Sequence, residues 1–148
     1  MADGRPIIDE VDPAKAYDLL SSNPDFPLVD VRTTAEWAFV GLPDLSALGR
    51  QVVTVEWISF PDMARNAAFL DQLADRLKGE VPSRLFFICR SGSRSMAAAQ
   101  WVAGALNAQG RSAHCTNVAE GFEGDVDGAG HRGSVNGWKV RGLPWRQN

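Results

Sequence analysis

The residues Leu85-Phe86-Phe87-Ile88-Cys89-Arg90-Ser91-Gly92-Ser93-Arg94-Ser95 decide the fold of this chain. Their first four positions are apolar without alternation, which is typical of a strand buried on both faces of a parallel sheet. A short loop with one glycine follows, and the alanine-rich residues 96–108, closed by Gly110, predict a helix. A buried strand joined to a helix by a tight loop is the building unit of an α/β fold.

The same alternation continues on either side of this unit. Three further strands are predicted, at residues 28–31, 52–55 and 112–116. Helix signals lie between them: Asp12 followed by Pro13, a capping box from Thr33 to Glu36, and the apolar spacing of residues 69–77 before Gly79. Strands that alternate with helices favour an α/β fold with a central parallel sheet.

Length and composition limit the class of protein. The chain has 148 residues, 45% of them hydrophobic, so we expect residues 1–148 to form a single domain with one sizeable core. Its formal net charge of -3 offers no basic surface for a phosphate backbone, so nucleic acid is not an expected partner. The N-terminus does not resemble a signal peptide, and no apolar stretch is long enough to span a bilayer. With two cysteines in all, we expect a cytoplasmic protein with free thiols and no membrane partner.

The C-terminal part differs in composition from the rest of the chain. Glycine recurs throughout residues 121–142 and interrupts every candidate element, which predicts an ordered loop or a loosely structured tail. We therefore expect a core at about residues 7–121 and a glycine-rich extension, residues 122–148, packed on the body. Large apolar side chains are expected to hold the extension there: Phe122, Trp138, Leu143 and Trp145.

Cys89 is expected at the mouth of the strand-loop-helix turn, where a thiol is chemically useful. In an open parallel sheet, ligands bind beyond the carboxyl ends of the strands, where N–H groups of the next helix point outward. Those N–H groups and nearby cations favour the thiolate, which is the nucleophilic form of cysteine. Gly92 permits a positive φ that curls the loop, and Ser95 is a candidate for the helix N-cap. The loop is therefore expected to surround a sulfur anion with Arg90, Ser91, Gly92, Ser93, Arg94 and Ser95.

Two motifs, in this order along the chain, resemble those of the rhodanese-like sulfurtransferases. Residues 89–95 match the family's active loop, Cys-Arg-x-Gly-x-Arg followed by Ser or Thr, at every defined position. Residues 28–37 resemble the family's earlier segment, in which an Asp-x-Arg strand end is followed by a Glu-Trp or Glu-Tyr helix. The resemblance covers about residues 7–121. It implies a rhodanese-like fold, with helices on both faces of the central parallel sheet, and structural roles for Asp30 and Arg32.

The resemblance also implies a reaction. Cys89 would take the outer sulfur of thiosulfate or a similar small anionic donor, hold it as a persulfide, and pass it to cyanide, a thiol or a protein acceptor. Neither a metal nor an organic cofactor is implied. Arg90 would recognise the anionic part of the donor, and Arg94 would brace the loop or aid binding. One departure from the family pattern is the segment after the last strand, where residues 119–124 replace the usual Gly-Gly-Trp.

Other functions are compatible with a cysteine loop. Cysteine-dependent phosphatases and arsenate reductases place five residues between the cysteine and the arginine, whereas four intervene between Cys89 and Arg94. The shorter loop suits sulfur better than a tetrahedral phosphate. A non-catalytic module that senses sulfur or oxidants is the remaining alternative, although such modules commonly lack the cysteine. Cys115 is expected to be a small core residue, with a resolving thiol near the end of a strand as the alternative.

Overall fold

The computed structural model describes residues 6–147, in which strands and helices alternate. The strands are β1 (Ile7–Val11), β2 (Leu28–Asp30), β3 (Leu42–Pro43), β4 (Val53–Thr54), β5 (Ile58–Ser59), β6 (Ala64–Arg65), β7 (Leu85–Ile88), β8 (His114–Val118) and β9 (Trp145–Arg146). The α-helices are α1 (Pro13–Ser22), α2 (Thr34–Phe39), α3 (Phe69–Arg76) and α4 (Ser93–Ala108), and a 3-10 turn spans Ser46–Leu48.

A parallel sheet in the order β1-β8-β7-β2-β4 forms the centre of the fold. β7 pairs with β2 on one side and with β8 on the other, with Phe86 opposite both Leu28 and Thr116. The predicted α/β fold with a central parallel sheet is therefore confirmed. Two antiparallel pairs, β3 with β9 and β5 with β6, lie outside this sheet.

Both faces of the sheet are covered, which explains the unbroken apolar run in β7. Leu85 and Phe87 point to the face that α3 and α4 cover, and they share one hydrophobic cluster with those helices. Phe86 and Ile88 point to the other face, where α1 packs in a second cluster. Because successive side chains of a strand alternate between faces, every position of β7 has to be apolar.

The helix starts follow local side-chain chemistry at two of the predicted sites. The carboxylate of Asp12 accepts a hydrogen bond from the Lys15 N–H at 2.8 Å, and it caps α1 as predicted. Thr33 and Glu36 form the predicted capping box at the start of α2. Both caps could be predicted from the sequence because each is formed by residues within one helical turn.

The start of α4 differs from the sequence prediction. The helix begins at Ser93, three residues before the alanine-rich run, and its N-cap is Gly92 with φ +114°. Ser95 lies inside the first turn, so the prediction that it caps the helix is wrong. The reason is that a glycine in the left-handed region reverses the chain within a single residue, which leaves the following serines free to enter the helix.

The glycine-rich extension packs against the sheet face that α1 covers. Phe122 and Trp138 are fully buried in the same cluster as Ile88. The indole of Trp138 contacts Tyr17 edge to face, with 5.8 Å between ring centroids. None of the helices within residues 6–147 combines the length and the apolar character needed to cross a membrane.

Candidate active site

Cys89 directly follows β7 at its carboxyl end, and α4 starts four residues later. A tight loop therefore connects the central strand of the sheet to the N-terminus of a helix of 16 residues. Unpaired N–H groups at such a helix start carry partial positive charge, so the position favours an anion. The fold brings Cys89 to the end of the sheet at which α/β proteins bind ligands.

Two polar groups of the loop contact the sulfur of Cys89. The backbone N–H of Gly92 donates a hydrogen bond to Sγ at 3.1 Å, and the hydroxyl oxygen of Ser95 lies 3.2 Å from Sγ. The cysteine also belongs to the buried apolar cluster that includes Val31 and Ala98. Cys89 thus combines polar contacts at its sulfur with a place in the hydrophobic core.

Cys89 lies under the loop rather than at an open mouth, since only 1% of the residue is exposed. Ser95 beside it is fully buried. Ser91 is half-buried and Ser93 is exposed, and within residues 6–147 neither side chain hydrogen-bonds to Cys89. The loop therefore brings one amide N–H and one hydroxyl oxygen to the sulfur, fewer polar contacts than its sequence suggested.

Arg94 is paired with a carboxylate of a different helix. Its Nη1 and Nη2 lie 2.8 and 2.9 Å from the two carboxylate oxygens of Glu36, so the pair is bidentate. Partial burial by itself would raise the pKa of Glu36, but the hydrogen bond and charge of Arg94, together with hydrogen bonds from Thr33, lower that pKa to about 2. The hydrogen bond to Glu36 is also the main cause that raises the pKa of Arg94, and the charge of the Glu36 carboxylate adds to it.

Arg90 is exposed, and its guanidinium has no hydrogen-bond or ion-pair partner among residues 6–147. Its backbone, in contrast, is held tightly. The carbonyl oxygen of Arg90 accepts hydrogen bonds from the N–H groups of Glu123 and Gly124, at 3.0 and 3.1 Å. The carbonyl oxygen of Cys89 accepts another from the N–H of Phe122 at 2.8 Å. The start of the extension thus fixes the first two residues of the loop.

Asp30 and Arg32 form a buried ion pair next to this site. Both side chains are fully buried, and the Arg32 Nη2 lies 2.7 Å from the Asp30 carboxylate and 2.7 Å from the carbonyl oxygen of Gly41. The guanidinium also lies over the ring of Phe122, 4.4 Å from its centroid. These contacts join the end of β2 to two other segments of the chain.

Cys115 lies far from Cys89. It is the second residue of β8 and lies opposite Leu85. The sequence predicted a position near the end of this strand, but β8 begins two residues later than predicted, so Cys115 lies near its start. Four residues of strand separate Leu85 from Cys89, which is about 13 Å, whereas a disulfide requires Cα atoms within roughly 7 Å. Burial, and to a smaller extent the charge of Asp9, raises the pKa of the Cys115 thiol to about 12. Cys115 is a core residue, and the alternative of a resolving thiol is excluded by its position.

Three groups that contact residues of the cysteine loop were not singled out as site residues from the sequence: Glu36, Asn117 and the segment 121–124. Glu36 was recognised as part of a capping box and of the Glu-Trp motif, but its pairing with Arg94, which joins residues 58 positions apart, was not predicted. Asn117 is a polar residue in an otherwise buried strand, with 1% exposure. A buried amide of this kind needs partners, and that need was a signal the sequence carried.

Comparison with known proteins identifies relatives that span nearly the whole chain. No protein-family model matches it. The uncharacterized protein RC0915 of Rickettsia conorii is 36% identical over 134 residues, which are 89% of this chain and 92% of that protein. The uncharacterized protein RP600 of Rickettsia prowazekii is 32% identical over 142 residues, which are 95% of this chain and 98% of that protein.

Two solved structures are similar to this one. The crystal structure of Rv0390 from M. tuberculosis has a TM-score of 0.83 at 46% sequence identity, and the match covers 96% of this chain and 99% of Rv0390. The solution structure of the 30 kDa polysulfide-sulfur transferase homodimer from Wolinella succinogenes has a TM-score of 0.56 at 20% identity, covering 95% of this chain and 80% of that one. The second likeness concerns the fold alone.

Proposed function

This chain belongs to the family of RC0915, RP600 and Rv0390 and has a rhodanese-like fold, and from this we propose that it is a sulfurtransferase in which Cys89 carries sulfur as a persulfide. The donor is thiosulfate or a similarly small sulfur anion. The acceptor is cyanide, a small thiol or the thiol of a protein. The proposed cellular location is the cytoplasm.

The observation that carries this proposal is the contact of the Gly92 N–H with the Cys89 sulfur at the N-terminus of α4. An amide hydrogen at 3.1 Å and the positive end of a helix both stabilise negative charge on sulfur. Two states of the reaction carry such charge at this place, the thiolate and the outer sulfur of the persulfide.

The reaction consists of two displacements at sulfur. In the first, the Cys89 thiolate attacks the outer sulfur of thiosulfate, the new S–S bond forms as the donor's S–S bond breaks, and sulfite leaves with the electron pair. In the second, the acceptor attacks the outer sulfur of the persulfide, and Cys89 leaves as the thiolate. Sulfur passes from one nucleophile to another, so no separate oxidant or reductant is consumed.

Recognition of the donor falls to Arg90 in this proposal. Its guanidinium is exposed, has no partner among residues 6–147, and sits one residue from the nucleophile. The charge of Arg94 is already matched by Glu36. A guanidinium offers the planar set of donors that suits the oxygens of a thiosulfate group.

Burial of Cys89 sets a condition on the reaction. With 1% of the residue exposed, a donor reaches the sulfur only after loop side chains move aside. Such an opening favours small, narrow donors over bulky organic ones. Side-chain rearrangements of this size are fast compared with ordinary enzyme turnover.

The proposal is tested by incubating the protein with thiosulfate and measuring its intact mass. We expect the gain of one sulfur, its loss on addition of cyanide, and the appearance of thiocyanate. Cys89→Ser should gain nothing, whereas the matched control Cys115→Ser should behave as the wild type. Failure of the wild type to gain sulfur overturns the proposal; turnover of an aryl phosphate would then indicate a phosphatase, and neither activity would leave a sensing module.

A further inference from the structure

A chain of polar contacts runs from Glu10 in β1, an edge strand of the sheet, through Asn117 and Ser95 to the sulfur of Cys89. The Nδ2 of Asn117 donates to the carboxylate of Glu10 at 2.7 Å and to the carbonyl oxygen of Gly92 at 3.2 Å. The Oδ1 of Asn117 accepts the hydroxyl of Ser95 at 2.5 Å, and the Ser95 oxygen is 3.2 Å from Sγ of Cys89. Asn117 and Ser95 are buried, whereas Glu10 is exposed.

The partners of Asn117 determine which way its amide faces. A carboxylate and a carbonyl oxygen only accept hydrogen bonds, so the NH2 group has to face Glu10 and Gly92. The amide oxygen is then left for Ser95. Since an amide oxygen can only accept, the hydroxyl proton of Ser95 has to point at Asn117.

The hydroxyl of Ser95 has one proton and three neighbouring acceptors. Asn117 Oδ1 is the nearest, at 2.5 Å, while the Gly92 carbonyl oxygen and the Cys89 sulfur both lie at 3.2 Å. With the proton directed to Asn117, a lone pair of the Ser95 oxygen faces the sulfur. That arrangement suits a thiol, whose S–H can donate to it, and opposes a thiolate.

We propose that Asn117, oriented by Glu10, is a positioning residue that keeps the Ser95 proton away from Cys89 and thereby holds the resting cysteine as a thiol. When Cys89 ionises, the Ser95 hydroxyl has to turn from the amide oxygen to the sulfur, giving up one hydrogen bond for another. Removing the amide oxygen removes the nearest competitor and leaves the neutral Gly92 carbonyl oxygen, which is as far from the hydroxyl as the sulfur is, at 3.2 Å. A hydrogen bond to a charged acceptor is stronger than one to a neutral acceptor, so the released proton goes to the thiolate.

The experiment measures the ultraviolet absorbance of the thiolate, with Cys89→Ser subtracted as background. The comparison is made at a pH where the wild-type protein is mostly in the thiol form, and Cys115 contributes little because its pKa is about 12. Asn117→Ala should raise the thiolate signal about three- to tenfold, which corresponds to one ordinary hydrogen bond. Glu10→Ala, a change at an exposed residue, should raise the signal by a smaller factor because Gly92 still orients the amide.

A double variant separates positioning from a general loosening of the site. In the Ser95→Ala background, Asn117→Ala should leave the thiolate signal unchanged, because the hydroxyl through which it acts is gone. Thr116→Val is the matched control, since it removes a buried hydroxyl of the same strand that bonds to Asp9 instead, at 2.6 Å. This control should leave the signal at the wild-type value.

Two results would overturn the inference: no rise in Asn117→Ala, or an equal rise with and without the Ser95 hydroxyl. Circular dichroism of each variant verifies the fold, and Glu10→Ala answers the same question if Asn117→Ala fails to fold. The inference rests on the proposed function only in taking Cys89 as the reactive group. Thiolate absorbance needs no sulfur donor, so the inference and the proposed function can fail separately.

Discussion

Arg90 and Arg94 are the two arginines of the cysteine loop, but their side chains have different surroundings in the fold. Arg94 stands in the first turn of α4, where a cation is unfavourable because it meets the positive end of the helix. The bidentate contact with Glu36 offsets that cost. Arg90, exposed and without a partner among residues 6–147, keeps its charge available to a ligand.

Arg90→Ala should therefore weaken donor binding more than it slows the chemistry. We expect the KM for thiosulfate to rise about tenfold with kcat changed little, since one charge-assisted contact is lost. Steady-state kinetics with cyanide as acceptor measures both constants. Arg111→Ala, which removes an exposed arginine beyond the far end of α4, is the control and should leave both unchanged. An unaltered KM in Arg90→Ala would remove Arg90 from donor recognition.

Glu36→Gln should destabilise the protein in a pH-dependent way. The pKa of Glu36 falls from 4.5 to about 2 on folding, so its contribution is complete above pH 4.5 and is lost as the pH falls towards 2. Near neutral pH we expect a loss of free energy of unfolding on the order of 2 kcal/mol, measured by urea denaturation. The difference from wild type should shrink steadily between pH 5 and 2. A difference that stayed constant with pH, or one matched by the exposed control Glu80→Gln, would contradict this account.

At the scale of elements, the segment after β8 is the support of the cysteine loop. Gly121 is buried with φ +66°, and a Cβ at this position would come within 2.6 Å of the carbonyl oxygens of Cys89 and Arg90. Its neighbour Phe122 donates to the same backbone. The close approach of two chain segments here allows no side chain.

Gly121→Ala should therefore lower both stability and the reactivity of Cys89. We expect a loss of at least about 2 kcal/mol in free energy of unfolding, from the left-handed backbone and the clash together, as measured by urea denaturation. Gly128→Ala lies in the same extension, with open space around it and no left-handed backbone, and should change stability by less than about 0.5 kcal/mol. Equal effects of the two changes would show that Gly121 has no special role.

Elements whose causes are local were readable from the sequence, and contacts between distant segments were not. The apolar run of β7 and the caps at Asp12 and Thr33 each depend on neighbouring residues. β9, in contrast, pairs with β3 about a hundred residues earlier, and two-residue strands leave no periodic pattern. The site divides in the same way: the loop follows from its motif, whereas the contacts of Glu36 and Asn117 depend on the chain topology.

At the scale of the whole molecule, the sheet separates two hydrophobic clusters, and the extension belongs to one of them. Trp138 is fully buried in the cluster that also contains Ile88 and Leu20. Its indole N–H donates to the carbonyl oxygen of Pro144 at 2.7 Å. Removal of this side chain would open a cavity beneath the central strand.

Trp138→Ala should lower the free energy of unfolding by about 3–5 kcal/mol, the usual cost of deleting a large buried aromatic side chain. The sequence predicts that residues 1–148 form one domain, so urea unfolding of the wild type followed by circular dichroism and by hydrogen exchange at Trp138 should show one shared midpoint. Loss of exchange protection at Trp138 before the sheet unfolds would instead indicate that the extension is an independent unit. The exposed Trp145→Ala serves as the comparison and should cost less.

The distance between the two cysteines bears on how the protein recovers from oxidative damage. Cys115 lies opposite Leu85, the first residue of β7, whereas Cys89 follows the last residue of that strand. The sequence contains no third cysteine. A sulfenic acid formed at residue 89 therefore has no thiol of its own molecule with which to condense. Reduction of this sulfenic acid therefore needs a thiol from another molecule, and the rate at which Cys89 is regenerated depends on the concentration of reducing thiols around the protein.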